Sequence, residues 1–241
     1  MSLVDSHVHI GTSEKLSRCW TIEGYSVVMD YLGIDYAVIM PNISNILSFH
    51  GLNSEFMCSM FEENNSKFLP FLLLDPEGQT IEQIWYHEDE IKGIKYHPSC
   101  SRKTIDTINL DVPDHLPILV HCGRDPLSSI DYLINAATKY PDKIFIAAHM
   151  AGMTPDIVEP SLLKVKDSEV SNLWMDTSSV NLPWMIEFYC DILGDSKLLF
   201  ASDEPFQDIR VGISCLNYSN IPLKSKERIF HGNAEFLFGL Y

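Results

Sequence analysis

An eight-stranded β/α barrel is the fold this sequence predicts, on three observations. Short, β-branched apolar runs recur eight times, helix-like segments lie between them, and successive runs end roughly 30 residues apart, the spacing that about 250 residues give an eightfold barrel. The runs cover residues 3–9, 36–40, 68–74, 93–97, 118–121, 144–149, 173–176 and 198–202. Helical patterns cover 25–32, 54–63, 81–88, 127–138, 184–193 and 224–238. Strand alternating with helix implies parallel strands joined by crossovers. An open doubly wound sheet shares that alternation, and the residues that end the runs favour the barrel.

The chain of 241 residues has no Gly/Ser tract, Pro-rich stretch or low-complexity block, so residues 1–241 read as one barrel domain. With 46% hydrophobic and 21% charged residues its bulk is too apolar for disorder. No run approaches the roughly 18 apolar residues of a transmembrane helix. Met1-Ser2-Leu3-Val4-Asp5 has neither the basic start nor the apolar block of a signal peptide. Six cysteines without a Cys-x-x-Cys pair read as reduced thiols, and the setting expected is cytoplasmic. Against 17 Lys and Arg stand 33 Asp and Glu, a net charge of -16 that repels phosphate backbones. The partner expected is a small-molecule substrate, with no nucleic acid and no membrane. Units of roughly 30 residues leave little room for lids, so the site is either open or completed by a neighbouring copy in a homo-oligomer.

The run ends carry the chemistry. In Asp5-Ser6-His7-Val8-His9 the two histidines are two residues apart, which in a strand points both to one face. Residues 118–121 and 144–149 each run apolar into a terminal histidine, His121 and His149, with Gly123 and Gly152 close behind. A lone histidine after an apolar strand is more often a bonded core residue, and their recurrence reverses that balance. Residues 198–203 end in Asp203, which alone would read as a helix cap. Together, four histidines and an aspartate at the ends of strands one, five, six and eight form a set that borderline metals such as zinc prefer.

These pieces resemble the amidohydrolase superfamily, particularly its branch containing amino-carboxymuconate-semialdehyde decarboxylase, related aromatic-acid decarboxylases and pyrone-dicarboxylate lactonase. The resemblance spans nearly the whole chain. It rests on Asp5-x-His7-x-His9, Gly93-Ile94-Lys95-Tyr96-His97-Pro98, Pro117-Ile118-Leu119-Val120-His121-Cys122-Gly123, His149-Met150-Ala151-Gly152, Ser202-Asp203-Glu204-Pro205-Phe206 and the tail Gly232-Asn233-Ala234-Glu235-Phe236-Leu237-Phe238. It implies a TIM barrel of the metal-dependent hydrolase type. One divalent ion, Zn2+ with Mn2+ as the alternative, would be held by His7, His9, His121 and Asp203. His149 would act as an acid or base that also touches the ion. Hydrolysis is the default reaction: an ion lowers the pKa of bound water, Asp203 can take its proton, and the attacked centre would be an amide, ester or lactone carbonyl. Decarboxylation is the alternative, because it needs the same donors.

Lys95 and His97 alternate onto one face of the fourth strand. In some branches of the superfamily a carbamylated lysine near Lys95 bridges two metals. The plainer reading makes Lys95 a neutral or paired barrel lysine and His97 a substrate contact, and it matches the mononuclear branch. Arg102 and Arg124, in the loops after strands four and five, could clamp a substrate carboxylate bidentately or simply pair with acidic neighbours. Arg210 has the same two readings. Trp20, Phe49 and Trp184 read as packing before pocket lining. Asp75 and Asp176 follow the third and end the seventh strand, where they could orient neighbours of the ion or cap helices. Cys122, next to His121, should face away from it.

Overall fold

The computed structural model describes residues 2–13, 18–43, 48–63 and 65–240. Its strands are β1 (Val4–Ser13), β2 (Arg18–Trp20), β3 (Tyr36–Pro41), β4 (Phe68–Leu73), β5 (Gly93–Tyr96), β6 (Ile118–Val120), β7 (Phe145–Ala147), β8 (Leu173–Asp176) and β9 (Leu198–Leu199). They form one sheet in the order β2-β1-β3-β4-β5-β6-β7-β8-β9. All neighbours from β1 through β9 pair in parallel, whereas β2 pairs antiparallel with the far end of β1, Gly11 opposite Trp20. That small hairpin lies outside the eight apolar runs.

The sheet closes on itself. Ser6 N donates to Phe200 O at 2.9 Å, Asp203 N to His7 O at 2.9 Å and His9 N to Glu204 O at 2.8 Å, and Val8 bridges Glu204 in parallel. Eight parallel strands in a ring are the barrel that the run ends favour, and an open sheet with two free edges is excluded. Asp5 latches this seam. Its carboxylate accepts bonds from Ser202 N (2.9 Å), Ser202 Oγ (2.6 Å) and Tyr25 Oη (2.8 Å). Burial pushes the Asp5 carboxyl up to about 7, against the four hydrogen bonds that pull it down. The opening acid of the Asp-x-His-x-His motif therefore joins the first strand to the last.

Side-chain alternation divides the core into two. Val4, Val38, Met40, Leu69, Phe71, Leu119, Ile146, Trp174 and Leu199 fill the barrel interior, and Phe238 of the last helix plugs it, its ring 6.0 Å from that of Phe71. The intervening residues, among them Ile39, Leu72, Ile94, Ile118 and Phe145, pack outward against the helices. Gly93 faces inward where a Cβ would lie 2.3 Å from the Phe71 ring, so only glycine fits beside that plug. Two residues further along β5 in the same inward register comes Lys95, level with Leu73 and Leu119, and two further comes His97.

The helices are α1 (Ile22–Leu32), α2 (Phe49–Glu63), α3 (Thr80–Tyr86), α4 (Pro98–Ser101), α5 (Ile130–Lys139), α6 (Pro155–Ser168), α7 (Pro183–Leu193), α8 (Ile209–Tyr218), α9 (Leu223–Glu227) and α10 (Asn233–Phe238). The six periodic segments all fall on helices, the last on both α9 and α10, and capping explains the changed starts of α1 and α5. Thus α1 begins three residues before the expected 25, where Thr21 Oγ accepts from Gly24 N, and it ends at Gly33 with φ 70°. The expected helix over 224–238 is interrupted by a π turn, Arg228–Gly232, which separates α9 from α10. The helices α4, α6 and α8 are additional. Pro160 lies inside α6, which continues through it. None of the helices is long and apolar enough to cross a membrane among the described residues.

Candidate metal centre

The two histidines of β1 meet as their spacing predicts, with His7 Nε2 and His9 Nε2 3.1 Å apart. His7 is fixed from behind. Its Nδ1 lies 2.9 Å from Asp176 Oδ2, at the end of β8, and its Nε2 lies 2.9 Å from the Lys95 ammonium, a group that only donates. Nδ1 therefore carries the hydrogen and Nε2 presents its lone pair inward, as in a carboxylate-oriented metal ligand. Asp203 Oδ1 lies 3.3 Å from His9 Nε2 and 3.7 Å from His7 Nε2, while its Oδ2 accepts from Ser179 Oγ at 2.9 Å.

His149 enters from the strand-six side of the barrel. The apolar run predicts a strand through it, but β7 stops at Ala147 and His149, Met150 and Ala151 form a tight turn with φ of 59°, 51° and 63°. Such left-handed residues cost roughly 1–2 kcal/mol each and gather at functional sites. Asp203 (φ 68°) and Ser179 (φ 58°) share that conformation. Gly152 then lets α6 approach, since a Cβ there would lie 2.6 Å from Ile157 Cγ2. The turn carries the His149 ring in, so that ligand atoms of His7, His149 and Asp203 all lie within 4.8 Å of one another and all three residues are buried. Behind it His121 Nδ1 lies 3.1 Å from His149 Nε2, and His97 stacks on His121 with ring centroids 4.1 Å apart.

Burial, reinforced by the Lys95 charge, drives the His7 imidazole well below its usual value and lowers His97 to about 3. His9 and His121 are lowered as well, first by burial. Burial alone would raise the Asp203 carboxyl, but His149, His9 and His7 around it outweigh that and leave it below the usual carboxylate range. Burial lowers Lys95 to about 8, with Asp203 and Asp176 opposing the fall. His7, His9, His97 and His121 uncharged beside an ionised Asp203 are the state in which such groups bind a cation. The donor chemistry, the inward lone pair of His7 and the buried His9 Nδ1 and His97 Nδ1 without partners all fit a divalent ion and its substrate.

Other residues lie apart from this cluster. Arg124 is exposed and bonds Asp156 at 2.9 Å and Thr154 at 3.1 Å, the acidic-neighbour arrangement. Arg210 bonds Asp208, and Arg102 stands exposed at the end of α4 with φ 55°. Trp20 Nε1 donates to Glu204 Oε2 at 3.0 Å, which ties the β2 hairpin to the seam. Phe206, not singled out in the sequence, sets its ring edge-on to His9 at 5.3 Å. Asp75 turns back on its own loop, accepting from Glu77 N. Ser178 and Ser179 were also invisible in the sequence, where their only sign is the short polar run Asp176-Thr177-Ser178-Ser179 after an apolar strand. No disulfide joins the cysteines among the described residues, and Cys122 is buried.

Compared by sequence with curated proteins, the chain matches none. Among solved structures it is similar to 5-carboxyvanillate decarboxylase from Sphingomonas paucimobilis, at 12% identity and TM-score 0.76 over 99% of each chain. It is similar to dihydroxybenzoic acid decarboxylase from Polaromonas sp., a structure with bound manganese and 2-nitroresorcinol, at 17% identity and TM-score 0.75 over 99% of this chain and 97% of that one. It is also similar to a probable 2-pyrone-4,6-dicarboxylic acid hydrolase from Acinetobacter baumannii, at 13% identity and TM-score 0.73 over 99% and 100%. At such identities the likeness is one of fold. The amidohydrolase family model matches residues 4–240, and the chain belongs to the amidohydrolase family.

Proposed function

We propose that this chain is a metal-dependent decarboxylase acting on a small carboxylic acid, with aromatic hydroxy acids as the substrate class. The observation that carries the choice is Lys95. Its ammonium is buried inside the donor cluster, 2.9 Å from His7 Nε2, where it offers a counter-charge to a substrate carboxylate. The 5-carboxyvanillate and dihydroxybenzoate decarboxylases that share the fold over nearly all of both chains support the same choice. It displaces hydrolysis, the default reaction of the sequence. The hydrolase among the structural relatives keeps that reaction as the competing outcome.

His7, His9 and Asp203, with the His121 and His149 pair, would hold the ion. Manganese, present in solved relatives, stands beside zinc as its identity. When bound, a divalent ion supplies Lewis-acid polarisation of substrate oxygens. Lys95, read as a free amine and so leaving one ion, pairs with the carboxylate. Asp203, an acceptor by its environment, takes the proton of a neighbouring substrate hydroxyl. It returns that proton to the carbon that keeps the electron pair when the carbon–carbon bond breaks and carbon dioxide leaves. His97 meets the substrate through its unpartnered Nδ1. Cysteines that form no disulfide among the described residues suit a cytoplasmic setting.

The test is the purified protein, loaded with Mn2+, incubated with a panel of dihydroxybenzoates and carboxyvanillate-type acids. Carbon dioxide release is the expected result. Acid release from a lactone or amide panel, with no carbon dioxide from the first, would replace the lyase with a hydrolase.

A further inference from the structure

Ser178, just past β8, sits at a junction of three buried groups. Its Oγ contacts Asp176 Oδ1 at short range, lies 2.8 Å from His149 Nδ1 and 3.2 Å from His7 Nδ1, and accepts from His149 N at 3.2 Å. Asp176 Oδ1 also receives the amides of His149 at 2.8 Å and Ser178 at 3.0 Å, groups that can only donate, so this oxygen is an acceptor. The single hydroxyl hydrogen of Ser178 therefore goes to Asp176. What remains toward His149 is an oxygen lone pair. A second acceptor faces the same ring nitrogen, because the Ser178 carbonyl oxygen lies 3.3 Å from His149 Nδ1. Two acceptors at one imidazole nitrogen require a hydrogen there. Nε2 is left with its lone pair facing His121 Nδ1 at 3.1 Å and the donor cluster.

We propose that Ser178 is a positioning residue that holds His149 in the Nδ1–H form, making its Nε2 an ion-ligating nitrogen and not a proton carrier. Asp176 thereby sets both inner histidines, His7 directly through Oδ2 and His149 through Ser178 on Oδ1. The inference rests on the reading that the cluster binds a divalent ion, and it moves the proton-transfer role wholly to Asp203. It also gives the left-handed turn at residues 149–151 a purpose, since that turn brings the His149 amide and ring together onto the Asp176–Ser178 pair.

The experiment uses metal-free protein labelled with 15N-histidine, its long-range 1H–15N spectrum read for His149, which is assigned by the resonance lost in His149→Gln. The native spectrum should show hydrogen on Nδ1 alone. Ser178→Ala should shift the ring toward the Nε2–H form, and in a titration followed by electron paramagnetic resonance its Mn2+ affinity should fall about 10- to 100-fold. A native His149 protonated at Nε2, or an Nδ1–H form that persists unchanged in Ser178→Ala, overturns the proposal. If the variant fails to fold, the native spectrum alone decides: hydrogen on Nδ1 supports the proposal and hydrogen on Nε2 overturns it. A tautomer shift in Ser178→Ala with no Mn2+ bound by either protein would refute the metal reading and leave the positioning role standing.

Discussion

The two halves of the barrel mouth are built differently. On the side of β1, β8 and β9, Asp5, His7, Asp176, Ser178, Ser179, Ser202 and Asp203 bond to one another across strands, and His7, Asp176 and Ser178 are fully buried. On the side of β5 and β6, His97 and His121 meet through ring stacking, His97 is partly exposed, and its Nδ1 has no partner. Apart from His9 Nδ1, the first half spends its hydrogen bonds on fixing ring orientation, while the second keeps His97 Nδ1 in reserve. A rigid set of ligands beside a set of unsatisfied polar groups is what a site needs to fix an ion on one side and admit a changing series of substrates on the other.

Breaking the rigid half has the largest effect. Asp203→Asn keeps the shape but removes the proton carrier, so carbon dioxide release should fall about 10²- to 10⁴-fold in a protein whose circular dichroism is unchanged. Unaltered turnover would remove Asp203 from the mechanism. Asp176→Asn, which frees both inner histidines, should raise the Mn2+ dissociation constant about 10- to 100-fold. A native-like titration would mean that the rings are held by packing alone. On the open half, His97→Ala should raise KM about tenfold with kcat nearly kept, the loss of roughly one hydrogen bond to substrate. A fall in kcat with KM constant would place His97 in the rigid set. Arg124→Ala is the smallest change: its pair with Asp156 is exposed, so stability should move by no more than ~0.5 kcal/mol and turnover not at all. A large KM increase there would restore Arg124 as a carboxylate clamp.

The same contrast governs what could be read from the chain itself. The eight apolar runs located every barrel strand, because inward and outward faces are both buried and leave continuous β-branched segments. His7, His9, His121, His149 and Asp203 were legible because ligand-type residues recurred at strand ends. The route of His149 into the cluster was not, since three left-handed residues without glycine leave no compositional mark. Ser178 and Ser179 escaped for a related reason: serines after a strand are ordinary turn residues until the partners of their hydroxyls are known. Arg124 keeps both of its sequence readings open for a different reason: a charged loop residue close behind His121 has many surface partners, and in the structure it bonds Thr154 and Asp156.

The seam between β1 and β9 has a bearing on how the protein is made. Asp5 and Ser202, joined there, are 197 positions apart, and His7 and Asp203 flank the same seam. A nascent chain whose residues 198–240 are still inside the ribosome has neither the latch nor the Asp203 carboxylate. Its strands can pair one after another as they emerge, but ring closure awaits the last of them. If the ion is held as proposed, its capture would be a late event of biogenesis, and the cell's metal pool would be sampled by a finished barrel and not by a growing one.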